Sequence, residues 1–231
     1  MLPITTDKLA ESALSPKERE TRAKDALERK YGKEFEISEV YPQKFLEEHF
    51  MVEAFAAEEP ELRFTAEVSI LTDEVFDSYA AVRVCAAIQE QAERNLDGLP
   101  GIYMVCAYVA GPQPSTANAD IGIRDYASLD PMNRFRFELL FCPDAEAGTP
   151  EIWKSLSGML RGLEFLPVEV WLRVVDNEQF DRAEELLTEQ GPQSTEYKQL
   201  RRQVTRCLLP YEHGDLKMTE AELASAIRNG E

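Results

Sequence analysis

The sequence predicts an α+β fold, with mainly antiparallel sheet and helices packed on one face. Three observations lead there. Strand-like runs come in groups with helices between the groups, unlike the strict alternation of a doubly wound sheet. Two runs alternate apolar and polar residues without a break: Leu62-Phe64-Ala66-Val68-Ile70 against Arg63-Thr65-Glu67-Ser69, and Phe135-Phe137-Leu139-Phe141 against Arg134-Arg136-Glu138. Ser15-Pro16-Lys17-Glu18 carries a capping box with proline at the first helical position, and Gly32 supplies a stop after Tyr31.

In chain order, residues 1–14 show little periodicity and are expected to be a loosely held arm. The capped helix puts Ala23, Ala26, Leu27 and Tyr31 on one face. Glu34 to Val40 sets Phe35 and Ile37 against Glu34, Glu36 and Ser38, the pattern of a half-buried strand. Phe50 to Phe55 is strand-like with apolar residues on both faces. Glu58-Glu59-Pro60-Glu61 is the turn of a hairpin joining it to the run at 62–70. A long helix is expected from Asp73 to Leu96, ended by Asp97-Gly98-Leu99-Pro100-Gly101. Residues 15–98 thus read as one α-β-β-β-α unit.

Residues 99–231 read as a second α+β half. Ile102 to Val109 is a buried strand, and Gly111 to Ala119 a loop. Ile121 to Tyr126 reads as a short edge strand, and Phe135–Phe141 as a strong one. Helices follow from Thr149 and from Asp176, with the strand Val168–Val174 between them. Residues 195–208 read as a further helix, and Thr219 through Glu222 as a capping box for a terminal one. One continuous sheet and two subdomains both satisfy this pattern.

The 231 residues carry 25 basic and 43 acidic side chains, a net charge of −18, with 44% hydrophobic residues. That composition builds a core and repels both phosphate backbones and anionic lipid, so neither nucleic acid nor membrane is an expected partner. No run reaches the roughly 18 apolar residues of a membrane span, and the amino terminus lacks a signal-peptide pattern, so a cytoplasmic protein is expected. Cys85, Cys106, Cys142 and Cys207 match neither zinc nor redox spacing and lie in apolar runs, as buried free thiols do.

No catalytic pattern emerges. The 11 glycines form no phosphate loop, no serine sits in a nucleophile elbow, and neither His49 nor His213 has a metal-binding or triad context. No catalytic residue, metal ligand or cofactor is therefore assigned. Asp73 and Asp77, four apart on the expected helix, would share a face and with Glu74 could hold a hard cation, although the helix dipole alone favours acids there.

Charge patterning supplies the candidate binding residues. Between Lys44 and Asp77 there are ten acids and two bases, with Glu58, Glu59 and Glu61 clustered at the hairpin tip, an acidic knob for a basic partner. Opposite in sign, Lys198, Arg201, Arg202 and Arg206 fall on the helix expected over 195–208, Arg202 and Arg206 on one face, as a dock for an acidic partner or a second copy.

Lys30-Tyr31-Gly32-Lys33-Glu34-Phe35-Glu36-Ile37 resembles the opening of small uncharacterised α+β modules of Gram-positive bacteria, in which K-Y-G ends a helix and a strand beginning with Phe follows. Asp77-Ser78-Tyr79 resembles the D-x-Y that opens their closing helix, and the likeness covers residues 15–96. It implies a fold and a bacterial source, and no activity. Together these readings point to an acidic, non-catalytic protein-binding module that recognises a basic macromolecule, as an inhibitor or immunity-type protein would. Two alternatives are an enzyme with a carboxylate site built on Asp73, Asp77 and His49, and a structural subunit that self-associates through residues 195–208.

Overall fold

The computed structural model describes residues 14–42, 47–72, 74–96, 98–110, 118–129, 134–144, 146–163, 168–190, 194–212 and 215–228. The expected arm therefore lies outside the described residues apart from Leu14, which packs on the core that follows. The fold is α+β, with two separate four-stranded sheets that are mostly antiparallel. Two compact units share the chain, one of residues 1–84 and 112–129, the other of 85–111 and 130–231. The sequence signals at Gly98 and Pro100 place a boundary between residues 98 and 99, whereas the units first divide between Val84 and Cys85, within the helix Tyr79–Asn95.

The first unit opens with helix α1, Pro16–Tyr31. Its ends follow the sequence signals. Ser15 Oγ accepts from the Glu18 amide at 3.3 Å, the Ser15 amide donates to Glu18 Oε2 at 2.8 Å, and Gly32 closes the helix at φ 67°. Strands β1 (Phe35–Val40), β2 (His49–Ala56), β3 (Phe64–Ser69) and β4 (Val75–Asp77) form an antiparallel sheet in sequence order. β1 and β2 slip register between Ile37 and Glu39, the mark of a bulge. Alternation sends Phe50, Val52, Ala54, Phe64, Ala66 and Val68 to one face, where Ala23, Ala26 and Leu27 of α1 complete the core.

β4 corrects the sequence reading. The helix expected from Asp73 begins only at Tyr79, as α2 (Tyr79–Asn95), and Val75–Asp77 pairs with Ala66–Val68 instead. Val75 is buried and Phe76 exposed, a period of two that a three-residue strand is too short to advertise. Gly122 opens a second correction: Ile123–Leu129 is a helix, α3, and not an edge strand. The Tyr126 amide donates to the Gly122 carbonyl at 2.9 Å, and the ring is buried, so one helical turn serves both the backbone and the core.

The second unit's sheet runs in the order β5 (Gly101–Ala110), β6 (Arg134–Pro143), β7 (Val168–Val174), β8 (Thr205–Leu208). β6 and β7 are parallel, and helix α4 (Thr149–Gly162) makes the crossover such a pair requires. The other two pairings are antiparallel. β6 is buried on both sides: Phe135, Phe137, Leu139 and Phe141 fill one face, Glu138, Leu140 and Cys142 the other. On that second face, helices α5 (Asn177–Gln190) and α6 (Thr195–Gln203) contribute Phe180, Ala183, Leu186 and Tyr197 to a core with Leu140 and Cys142.

Residues 195–208 are therefore not one helix. The backbone turns extended at Val204 (φ −96°, ψ 150°), and Thr205–Leu208 pairs with Trp171–Val174. The run Val204-Thr205 is β-branched, and the ladder satisfies backbone groups a further helical turn would have had to satisfy alone. Strands β9 (Tyr211–Glu212) and β10 (Asp215–Leu216) follow and pair antiparallel. Helix α7 (Glu220–Arg228) closes the described chain behind the Thr219/Glu222 capping box. At the start of β5, Gly101 adopts φ 132°, and a Cβ there would overlap the carbonyl oxygen of Cys142 on the paired strand.

Candidate functional site

The acids of the hairpin tip are mostly engaged with their own unit. Lys33 Nζ meets Glu58 Oε1 at 2.5 Å. Glu59 accepts from Tyr79 Oη at 2.8 Å and pairs with Arg83 at 3.2 Å. Glu61 alone of the three is exposed and without an ion pair among the described residues. The tip is thus a set of braces between the turn, the α1–β1 connection and α2 more than a free acidic knob.

Asp77 is a brace of a tighter kind. Its side chain is fully buried and accepts from Lys30 Nζ at 2.8 Å, from Tyr31 Oη at 2.7 Å and from the Tyr79 amide at 3.0 Å. It therefore ends β4, caps α2 and holds the last turn of α1. Sharing a helix face with Asp73 is ruled out for it, because it lies on a strand. Asp73 itself falls outside the described residues. Around this carboxylate the rings of Tyr31, Phe35, Phe64 and Tyr79 pack edge-on or tilted at centroid distances of 5.0–5.8 Å. Burial, then the Asp77 charge, pushes the Tyr31 hydroxyl well above its ordinary range, so it stays a donor. The residues of the K-Y-G and D-x-Y motifs meet here, which accounts for both motifs as one structural clasp.

The acid-rich span delivers its open charge elsewhere, on the sheet face turned away from the core. The odd-numbered residues of β2 point there: His49, Met51, Glu53 and Phe55. Register places Glu36 opposite Phe55, Glu39 opposite Glu53, and Glu67 between Met51 and Phe76. Met51 and Phe76 are 47% and 46% exposed. Arg63 pairs with Glu53 at 2.9 Å and stacks over Phe55 at 5.8 Å. Burial, Glu39 and Glu53 together raise the hydroxyl pKa of Tyr41, whose amide donates to the Met51 carbonyl. The His49 ring meets Phe76 edge-on at 6.0 Å, and its Nε2 is buried without a partner. The sequence carried one signal for this surface: β2 is apolar on both faces, more than a strand covered on one side needs.

In the second unit, Arg202 is exposed on α6, whereas Arg206 lies on β8 across from Arg173, so the two do not share a helix face. The carboxylate of Glu138, 1% exposed, organises the neighbourhood. Arg173 clamps it with two bonds of 3.2 Å, Arg201 donates to Oε1, and Tyr108 Oη donates to the same oxygen at 3.0 Å. Arg173 also donates to the Arg201 carbonyl at 2.9 Å, tying the sheet to α6. Sequence reasoning missed Glu138, Arg173 and Tyr108, because only the strand order brings β5, β6 and β7 together beneath α6.

The four cysteines are free; Cys85, Cys106 and Cys142 are buried and Cys207 half-buried. Burial pushes the Cys85 and Cys106 thiols up to about 12, far from reactive thiolates. His213 lies outside the described residues. Among the described residues no group of His, Cys, Asp and Glu could hold a metal ion, and no helix is long and apolar enough to cross a membrane.

No family model matches the chain, and no curated protein does. Among solved structures, the chain is similar to a DUF5037 family protein from Ruminococcus gnavus, with a TM-score of 0.64 and 13% sequence identity, over 90% of this chain and 98% of that one. The likeness is one of fold alone.

Proposed function

We propose that this chain is a non-catalytic binding protein of the bacterial cytoplasm that recognises a basic protein through the open face of its first sheet, as an inhibitor or immunity-type protein would. One observation carries the reading: Met51 and Phe76, 47% and 46% exposed, stand among Glu36, Glu39, Glu53 and Glu67, with Arg63 paired to Glu53 in opposition. Aromatic and methionine side chains at the centre and charge around them are the make-up of protein interfaces. The net charge of −18 adds long-range attraction for a cationic partner. Four free thiols suit a reducing compartment. The carboxylate that an enzymatic reading would use, Asp77, is enclosed by Lys30, Tyr31 and Tyr79.

The test uses an amphipathic lysine-rich peptide and a panel of basic proteins, with association rates measured at low and high salt. Association should slow steeply with salt, and Phe76→Ser and Met51→Ser should each weaken the selected partner about tenfold, the ordinary size of an interface anchor. Rates insensitive to salt, or binding untouched by both substitutions, would remove the sheet face as the binding surface.

A further inference from the structure

The second unit holds a concavity of about 620 Å³ at the junction of its sheet and α6, walled by Arg136, Arg173, Lys198, Arg201 and Arg202, with Tyr108 and Val204 as its apolar parts. Small-molecule sites span roughly 300–1,000 Å³, so its size is that of a metabolite. Its chemistry is not that of an oily pocket. Five cations line it, and the carboxylates paired among them are Glu138 and Glu169, which leaves three positive charges in a protein of net charge −18.

The cations play different parts. Arg173, 4% exposed at its side chain, spends three donors on Glu138 and the Arg201 carbonyl and is framework. Among the described residues Arg201 donates through Nη2 alone, to Glu138 and Tyr108 Oη, and lies over the rings of Tyr108 and Tyr197 at 5.7 Å each, which fixes its plane and leaves Nε and Nη1 to donate. Arg136 is held by Glu169 at 3.1 Å and is hydrogen-bonded to the Tyr108 hydroxyl as well. Lys198 and Arg202 are exposed, and neither makes an ion pair among the described residues. Rigid guanidinium forks facing one hollow, backed by a buried acid, are the arrangement that binds oxyanions.

We infer that this hollow is a binding site for a compact multivalent oxyanion, a small molecule bearing phosphate or several carboxylate groups. The charge of the whole molecule favours a small ligand over an anionic polymer. A metabolite inside the hollow feels mainly the charges within a Debye length of about 8 Å, whereas a long nucleic acid must also lie along the acidic exterior.

Calorimetric titration with pyrophosphate and with citrate separates phosphate from carboxylate recognition, and binding by either supports the site. The exposed pair Lys198→Glu with Arg202→Glu should weaken the bound anion at least about tenfold, as loss of charge-assisted bonds does. Two controls isolate the hollow. Arg94→Glu on α2 with Arg182→Glu on α5 makes the same change in net charge at exposed positions outside the lining. Phe76→Ser, on the first sheet, disables the protein-binding face and should leave anion affinity unchanged. Failure of both anions to bind at millimolar concentration overturns the inference. So does equal weakening by the control pair, or tighter binding of a 20-base-pair DNA duplex than of either anion.

Discussion

Asp77 and Glu138 are two carboxylates hidden in two units, and their surroundings differ in one respect. Asp77 faces one cation, one hydroxyl and one helix amide, and the account closes at neutrality within its own shell. Glu138 faces two guanidiniums and a hydroxyl, and three more cations stand around the same hollow. A buried acid matched by a single cation acts as a clasp between elements. One overmatched by two arginines holds them rigid while their excess charge stays available to something else.

The sharpest way to break this comparison is to remove the acid that is overmatched. Glu138→Gln strands Arg173 and Arg201 without a counter-charge and should cost about 3–5 kcal/mol in urea unfolding, the usual consequence of breaking a buried pair. A loss under 1 kcal/mol would show that water reaches those guanidiniums. Asp77→Asn keeps the shape and loses the charge, and should cost about 2 kcal/mol, since hydrogen bonds to charged groups are worth roughly 1.5–3 kcal/mol. Tyr31→Phe removes one bond of that clasp and should cost about 1 kcal/mol.

The second unit also has an alkaline signature. Cys106 ordinarily titrates at 9.0, and in the folded protein burial, and secondarily Glu138, raises it to about 12. A raised folded value means that the stability conferred by the protonated thiol is whole below pH 9 and drains away as pH climbs towards 12. Each such thiol contributes a slope of about 1.4 kcal/mol per pH unit in that window. Cys106→Ala should therefore flatten the fall in stability between pH 9 and 11 by about that slope, whatever it does to stability at pH 7. An unchanged slope would mean that Cys106 is not enclosed. The smallest effects belong to the surfaces: Phe76→Ser and Arg202→Ala should each alter stability by no more than about 0.5 kcal/mol, which makes their binding phenotypes readable.

Much of the fold could be read before any coordinates, for reasons that name themselves residue by residue. Ser15, Glu18 and Gly32 mark α1 by local chemistry, and β3 and β6 announce themselves by unbroken alternation. What escaped was short or shared its signal with something else. Glu74 and Asp77 near the start of a helical pattern look like residues favoured by a helix dipole, and so hid β4. Lys198 through Arg206 looks like one cationic helix, because a charge run does not record where the backbone turns extended at Val204. The surfaces divide in the same way. The acid-rich span was visible, but which acids are engaged depends on Lys33, Arg83 and Tyr79, each brought in by tertiary packing. Half of the cationic hollow, Lys198, Arg201 and Arg202, could be seen on a helix. The half supplied by Arg136, Arg173 and Tyr108 required knowing that β5, β6 and β7 are neighbours.

Gly101 sets a limit on how this lineage can vary. With a left-handed backbone torsion and a carbonyl where any Cβ would sit, the position forbids all nineteen alternatives at once, by geometry and by crowding. A saturation library there should return survivors bearing glycine alone, or compensating changes around Cys142, Pro143 and Asp144, the residues a Cβ would strike. The opening rung of the β5–β6 ladder is in that sense frozen, and drift in the rest of the strand pair has to proceed around a fixed first pairing.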